Sequence, residues 1–398
     1  MYIDKIEITN IRAIEQFEMT FTQHAGWHVL IGENGSGKSS FVKAVAACLI
    51  DDESPAVREN MFEWPRDADN TSRINIEFIK PHISYKLDFI SLPLSQSAIR
   101  LFTGNSTPIP KQEFSMAFGP FRRFTGGRSE DASIFKSHPK AAAHLSAFGE
   151  DIGLTEALTF IRELYIQKID NKSDGRELAG IERFVNESNL LQPGVIIEKV
   201  DSTGIFFRDA NGNSVPATQL SDGYRSILSL TFEMFREMVR LFSVDKVFAN
   251  IEKGEMIIDT EGVVLIDEAD AHLHPTWQTR IGQWFVEHFP NIQFIVTTHS
   301  PLICRGAEKR GSIWRLAAPG SDEQSGEITG IERDRLIYGD VSEAYGTGAF
   351  GDNVNQGEAG VKLAQEVARL NVKSVKGTIT KEEQQRLFEL RAKLPTAG

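Results

Sequence analysis

Residues 26–44 read GWHVLIGENGSGKSSFVKA. An apolar run from Trp27 stops at Gly32, and a helical pattern begins near Lys38. Gly32, Gly37, Lys38 and Ser39 stand in the order G-x-x-x-x-G-K-S, the spacing of a P-loop. Without Cβ atoms at Gly35 and Gly37 the backbone turns tightly, so successive N–H groups converge on phosphate oxygens at a helix N-terminus. Asn34, Ser36 and Ser40 complete the cradle; Lys38 would reach the β and γ phosphates, and Ser39 Oγ would ligate Mg²⁺. A Gly-rich turn that merely precedes a helix is the competing reading. Strand, loop and helix standing in the order the motif requires speak against it.

The rest of the 398-residue chain is that of an ordinary globular protein, with 41% hydrophobic and 25% charged residues, long enough for two or three domains. A formal charge of −12 argues against wholesale coating of nucleic acid, although it leaves room for a local basic patch. Two cysteines, Cys48 and Cys304, are too far apart to suggest a metal knuckle or disulfide framework, and a reducing cytoplasm is the simplest setting. No run of about 18 apolar residues is found, so no membrane span is expected.

Alternating apolar positions predict three strands over residues 1–31, the third leading into the P-loop, and a helix over Phe41 to Ile50. Strands are expected at Arg73–Ile79 and Ser84–Ser91, then a polar loop from Pro93 to Lys111. Phe114 to Arg128 reads as a strand ending in a basic loop. Its Arg122, Arg123 and Arg128 either face phosphates or form a solvated loop paired with Glu130 and Asp131. Residues 151–191 look helical, with Leu154, Leu158, Ile161 and Leu164 in one stripe. Two strand runs, Gly194–Val200 and Gly204–Arg208, flank a turn assigned to Asp209, Asn211 and Gly212. A long helix extends from Ser221 to about Phe242, followed by a polar interlude. Gly262–Ile266 and Ile292–Thr297 are short buried strands joined by a helix over roughly Thr276–Phe289, the parallel crossover of an α/β core. Beyond Arg315 come a loop over 317–330, one short helix within 333–348, and two amphipathic helices from Glu358 onward.

The strand GVVLIDE ends in two acids. Asp267 at that position would hold Mg²⁺, and Glu268 would accept the proton of an attacking water. The neighbouring strand, FIVTTHSP, ends in His299, which can hydrogen-bond a γ-phosphate and the water, where an isolated histidine would more simply be a satisfied core residue. His272 and His274 form an H-x-H without an evident third ligand, which favours a loop at an interface over a metal site.

LSDGYRS, residues 220–226, resembles the LSGGQ signature of ABC-type ATPases, with Asp222 and Tyr224 departing from its third and fifth letters. Ser221 and Gly223 survive, and in that family their helix N-terminus faces the γ-phosphate held by the other subunit of a head-to-tail dimer. The segment ADAHLHP after the acids is similar to the D-loop of the same family. The opening IEITNIRAIEQFEMTF resembles the RecF, SMC and OLD-type branch, and DEADAHLHP with TTHSP its compact bacterial subgroup. The resemblance implies an ABC-ATPase head: an α/β fold with a mixed, mainly parallel P-loop sheet, an antiparallel N-terminal β-subdomain, a helical lobe and a C-terminal helical extension. It places Asn10 and Arg12 near the nucleotide. The lobe-coupling glutamine of the family has no clear counterpart; Phe118 to Arg123 occupies its place.

The expected divisions are residues 1–135, an ATPase lobe with the P-loop; 136–245, a helical lobe with the signature; 246–316, the remainder of the core; and 317–398, the extension. The resemblance implies an ATPase with ATP and Mg²⁺ as cofactors that closes as a head-to-tail homodimer or higher homo-oligomer and gates a partner effector. Compact ATPases of this branch stand beside nucleases in Septu-type and retron-associated antiphage defence. A RecF-like repair role, with DNA as a ligand, and the nucleotide-binding subunit of a transporter are the alternatives. The long, irregular gap from Ser39 to Ser221 weighs against the last. Tail lysines Lys373, Lys376 and Lys381 fit a DNA contact or a solvated helix face equally well.

Overall fold

In a computed structural model the chain is described over residues 1–50, 66, 72–79, 83–90, 98–103, 113–122, 138–149, 155–321, 323–347 and 358–393. The strands are β1 (Ile3–Ile11), β2 (Ile14–Thr20), β3 (Gly26–Ile31), β4 (Ser72–Phe78), β5 (Ile83–Ile90), β6 (Ala98–Thr103), β7 (Ser115–Phe118), β8 (Ile196–Asp201), β9 (Gly204–Arg208), β10 (Ser214–Pro216), β11 (Gly262–Ile266), β12 (Ile292–Thr298), β13 (Ile313–Arg315) and β14 (Gly326–Glu327). The helices of the first two thirds are α1 (Lys38–Leu49), α2 (Pro139–Leu145), α3 (Thr155–Ile169), α4 (Arg176–Glu187), α5 (Asp222–Leu241) and α6 (Val244–Glu252). Those of the last third are α7 (Pro275–Gln278), α8 (Ile281–His288), α9 (Pro301–Cys304), α10 (Gly330–Tyr338), α11 (Val341–Tyr345), α12 (Glu358–Val375) and α13 (Lys381–Lys393).

The organising sheet runs β14-β13-β3-β12-β11-β7, parallel except for β14. β3, β11 and β12 are buried at every residue, as expected of strands covered on both faces. Period-2 alternation divides the interior. Trp27, Val29, Val264, Ile266, Phe294 and Val296 point into one core, whereas Leu30, Val263, Leu265 and Ile295 point into the other. The second core is closed by α1 and by the antiparallel sheet β2-β1-β4-β5-β6. Gln293 pins this sheet to the first, accepting from the Ile3 amide at 2.8 Å and donating to its carbonyl at 2.9 Å.

The helical lobe docks through aromatic rings on α4, α5, α6 and α8. Phe184 meets Phe235 and Trp284 edge-on, and Phe235 stacks on Phe248. The Trp284 indole N–H donates to the Ser188 carbonyl at 2.8 Å, fixing the lobe to the core with the indole nitrogen satisfied. Trp27 lies against two glycines, Gly282 of α8 and Gly306. A Cβ at Gly282 would fall 2.7 Å from Gly306 Cα and 2.9 Å from the indole. Gly282→Ala is therefore expected to cost about 1–3 kcal/mol by overpacking, read as a lower midpoint in chemical denaturation.

Several expectations are corrected. β6 lies inside the segment read as a polar loop, paired antiparallel with β5. The turn on Asp209 joins β9 to β10, with Asp209 accepting from the amides of Asn211 and Asn213; β8 and β9 are joined across Asp201 and Thr203. The polar interlude holds α6, capped by Ser243, which accepts from the Lys246 amide. The crossover helix is broken into α7 and α8, because Thr279 Oγ1 bonds back to the Thr276 carbonyl at 2.7 Å and ends the first turn. The single helix expected within 333–348 is two. Asp340 and Glu343 cap each other's backbone amides and start α11 afresh. β14 interrupts the loop expected over 317–330. α2 falls where no element was expected. Leu154 and the basic loop at Arg123 and Arg128, with Glu130 and Asp131, lie outside the described residues.

Candidate nucleotide site

Parallel pairing puts the ends of the central strands in line. Ile31 is level with Thr298, Val296 with Ile266, and Ile266 with Phe118. Gly32, His299, Asp267 and Gly119 therefore leave the sheet along one edge, the carboxyl edge at which α/β sheets bind ligands.

The glycine-rich loop closes with Gly35 at φ +81° and Gly37 at φ +106°, left-handed conformations that side chains other than glycine rarely adopt. A Cβ on Gly35 would meet nothing within 4 Å, so the loop opens there toward a free space. Gly37 caps α1. Lys38 is buried and donates from Nζ to the carbonyls of Gly32 at 2.7 Å and Glu33 at 2.9 Å. Burial lowers its pKa to about 8 against the opposing pull of Asp267, Glu268, Asp270 and Glu33. Ser36 Oγ is buried without a hydrogen-bond partner. A buried hydroxyl left unpaired and an open cradle together fit a polar ligand such as a phosphate chain. Ser39 and Ser40, at the start of α1, are half-buried, and Asn34 is exposed at the loop's rim.

At the end of β11, Asp267 is buried and accepts from Thr297 Oγ1 at 2.5 Å. The same hydroxyl accepts from the Glu268 amide at 2.8 Å, so one threonine orders both acids. Glu268 has φ +48°, an uncommon value for a residue with a side chain. Its carboxyl pKa is raised, chiefly by burial and then by the neighbouring Asp267 and Asp270. A half-buried carboxylate with raised basicity is suited to accepting a proton. Asp270 Oδ1 accepts from Thr298 Oγ1 at 2.5 Å and from the His299 amide at 3.2 Å, tying the loop after the acids to the histidine. The His299 pKa is lowered by burial and by Lys38, which favours the neutral imidazole. Gln278 spans the same two segments, donating to the Leu273 carbonyl and accepting from Ser300 Oγ at 2.6 Å.

Arg122, offered by the sequence as a phosphate contact or part of a solvated loop, is neither. It is 3% exposed, with Nη1 donating to the carbonyls of Gly119 and Asp267, Nη2 to that of Glu268, and Nε to Ser226 Oγ on α5. Ser221 is exposed at the N-cap of α5 with no side-chain capping bond. Gly223 faces the loop after the acids, where a Cβ would lie 3.2 Å from the His272 carbonyl. His274 accepts from the Thr276 amide and caps α7. Asn10 and Arg12 both take left-handed backbone conformations in the turn from β1 to β2. The turn abuts the P-loop, since a Cβ on Gly37 would fall 2.8 Å from Ile14. Asn10 is buried and donates to Ser72 Oγ at 3.1 Å, and Arg12 is exposed. In the tail, Lys373 is ion-paired with Glu383, and Lys376 and Lys381 are exposed, which fits either reading of them.

Family comparisons agree with this geometry. Residues 1–152 match the profile of an "AAA ATPase domain", and residues 110–305 that of an "AAA domain, putative AbiEii toxin, Type IV TA system". Among solved structures, an Smc head bound to the C-winged helix domain of ScpA superposes with a TM-score of 0.51 at 19% identity, covering 84% of this chain and 99% of that one. The chain is an ATPase with an SMC head-like α/β fold. The ATPase is 30% identical over 311 residues to the Septu protein PtuA of Bacillus mycoides (strain KBAB4), covering 77% of this chain and 39% of the relative. It is 23% identical over 351 residues to the "Retron Vc95 probable ATPase" of Vibrio cholerae serotype O1 biovar El Tor, covering 69% of this chain and 66% of the relative. The chain thus spans less than two thirds of either relative's length. Among the described residues of the ATPase, no helix is long and apolar enough to cross a membrane.

Proposed function

We propose that two copies of this ATPase close head-to-tail on Mg-ATP, and that the closed state gates a partner effector, a nuclease in antiphage defence. The observation that carries the dimer reading is the exposed, uncapped N-terminus of α5. Ser221 Oγ and the first amides of a 20-residue helix are free to meet an anion. Similarity to Septu and retron proteins supports the defence setting. The divisions 1–135, 136–245, 246–316 and 317–398 then serve as the nucleotide lobe, the lobe that reaches the opposing site, the hydrolytic core and an extension available to the effector.

In this reading Asn34, Gly35, Ser36, Gly37 and Ser40 present loop amides and hydroxyls to the phosphates, with Asn10 and Arg12 at the nearby turn. Lys38 exchanges its loop carbonyls for β and γ oxygens. Ser39 and Asp267 would hold Mg²⁺, which when bound offsets phosphate charge. Glu268 takes the proton of the attacking water. Neutral His299, fixed by Asp270 through its amide, hydrogen-bonds the γ-phosphate.

Ser221→Asp separates the dimer reading from a capping role. Asp caps a helix as well as Ser does, but its charge repels a γ-phosphate. In the Glu268→Gln background with Mg-ATP, light scattering is expected to give twice the protomer mass, and Ser221→Asp to return it to one protomer with nucleotide still bound. A dimer that survives Ser221→Asp rules out the signature helix as the γ-phosphate partner.

A further inference from the structure

We infer that Arg122 is a positioning residue that couples the signature helix α5 to the backbone carrying Asp267 and Glu268; this rests on the reading of Glu268 as the base. The four acceptors of Arg122 belong to three separate pieces of the molecule. Gly119 follows β7, Asp267 and Glu268 follow β11, and Ser226 lies on α5 just beyond Ser221 and Gly223. Distances are 3.0 Å to Ser226 Oγ, 3.0 Å to Gly119, 2.9 Å to Asp267 and 3.0 Å to Glu268. All four acceptors are neutral oxygens.

Burial lowers the Arg122 pKa to about 10 against the opposing pull of Asp267, Asp270 and Glu268, so its charge is offset by three nearby acids although its hydrogen bonds go to neutral oxygens. The planar fork is what the position uses. A rigid guanidinium transmits a displacement of one partner to the others, whereas the flexible stem of a lysine absorbs it. The Glu268 carbonyl is the atom most affected. Glu268 sits at φ +48°, a conformation that persists only where its surroundings hold it; Thr297 Oγ1 holds its amide, and its carbonyl is shared by the Ala271 amide at 2.9 Å and Arg122 Nη2, the one of the three that reaches α5. Movement of the α5 N-terminus thus reaches the Glu268 peptide through one side chain.

A cavity of about 20 Å³ lies beside Arg122, lined by Ser226, Ile227 and Leu230 of α5 on one side and by Ile266 and Ala269 on the other. That is space for about one water, so the seam between α5 and β11 is less than fully packed beside Arg122.

Two variants test the coupling. Arg122→Lys keeps the charge and loses the fork; Ser226→Ala cuts only the limb to α5 and leaves the grip on the acids. Both are expected to bind a fluorescent ATP analogue within about threefold of the unmodified ATPase. Turnover is expected to fall about tenfold in Arg122→Lys and about fivefold in Ser226→Ala. A second Ser221→Ala change should then add less in the Ser226→Ala background than alone, since both lie on one path. A merely structural arginine would lower thermal stability and ATP affinity together and leave Ser226→Ala at full turnover with additive effects. That result overturns the coupling. The Glu268→Gln protein, measured alongside, separates the two readings: full turnover there removes the base itself, whereas lost turnover with normal Arg122→Lys and Ser226→Ala removes only the coupling.

Discussion

Glu268→Gln is expected to reduce ATP turnover roughly 100- to 10,000-fold, the range associated with losing a general base, while ATP binding is retained. The amide matches the carboxylate in shape, so the left-handed turn held by Thr297 and Arg122 is preserved. Only the capacity to take a proton is lost. Because the ATP-bound form then fails to progress, it accumulates, and single-turnover kinetics should show bound ATP and no phosphate burst. The unmodified ATPase should also lose kcat/KM on the acid side at a higher pH than an unperturbed carboxylate would give, since burial and two neighbouring acids raise the Glu268 pKa. As pH falls through that raised value the base becomes protonated and inactive. If turnover in Glu268→Gln equals that of the unmodified protein, Glu268 is not the base.

Lys38→Met is expected to weaken ATP binding about a hundredfold, the loss of charge-assisted bonds to two phosphates, and to leave residual turnover near background. Its ammonium also predicts the alkaline limb. The depressed pKa of about 8 means that the charge lost above that pH is the one phosphates bind, so kcat/KM should fall as pH rises through about 8. An unperturbed lysine would place the limb about two units higher. Lys38→Arg keeps its charge throughout and should bind less well but lose the limb. An alkaline limb that persists unchanged in Lys38→Arg would assign it to another group. Isothermal titration for binding and a pH series of initial rates make both measurements.

The parts that were legible in the sequence share a property: their chemistry and spacing are local. Gly35, Gly37, Lys38 and Ser39 announce a phosphate loop within eight residues, and the apolar strands ending at Asp267 and His299 show their ends directly. Their convergence follows from one parallel crossover, which places β11 beside β12 and β12 beside β3. Arg122 was misread because three of its four partners lie 104 to 146 residues away, on α5 and at the end of β11, and nothing next to it signals burial. Thr297 and Asp270 stood in quoted motifs without a role, since a hydroxyl that serves two acids is seen only once the strands are side by side. Two of the missed breaks did have local signals. Ser243 before α6 and the D-x-x-E of Asp340 and Glu343 are capping patterns, overlooked because apolar periodicity was weighed more heavily.

The order of the central sheet also governs when the molecule can form. β3 is made within the first 31 residues, yet its two neighbours, β12 and β13, begin at Ile292 and Ile313. During synthesis, at about 5–20 residues per second, the phosphate-loop strand must therefore wait for the strands on either side of it, its edge N–H and C=O groups unpaired by them. Such distant pairing is slow to fold and open to aggregation in the interval. A chain truncated before Ile313 would thus carry the complete phosphate motif without a finished sheet to hold it.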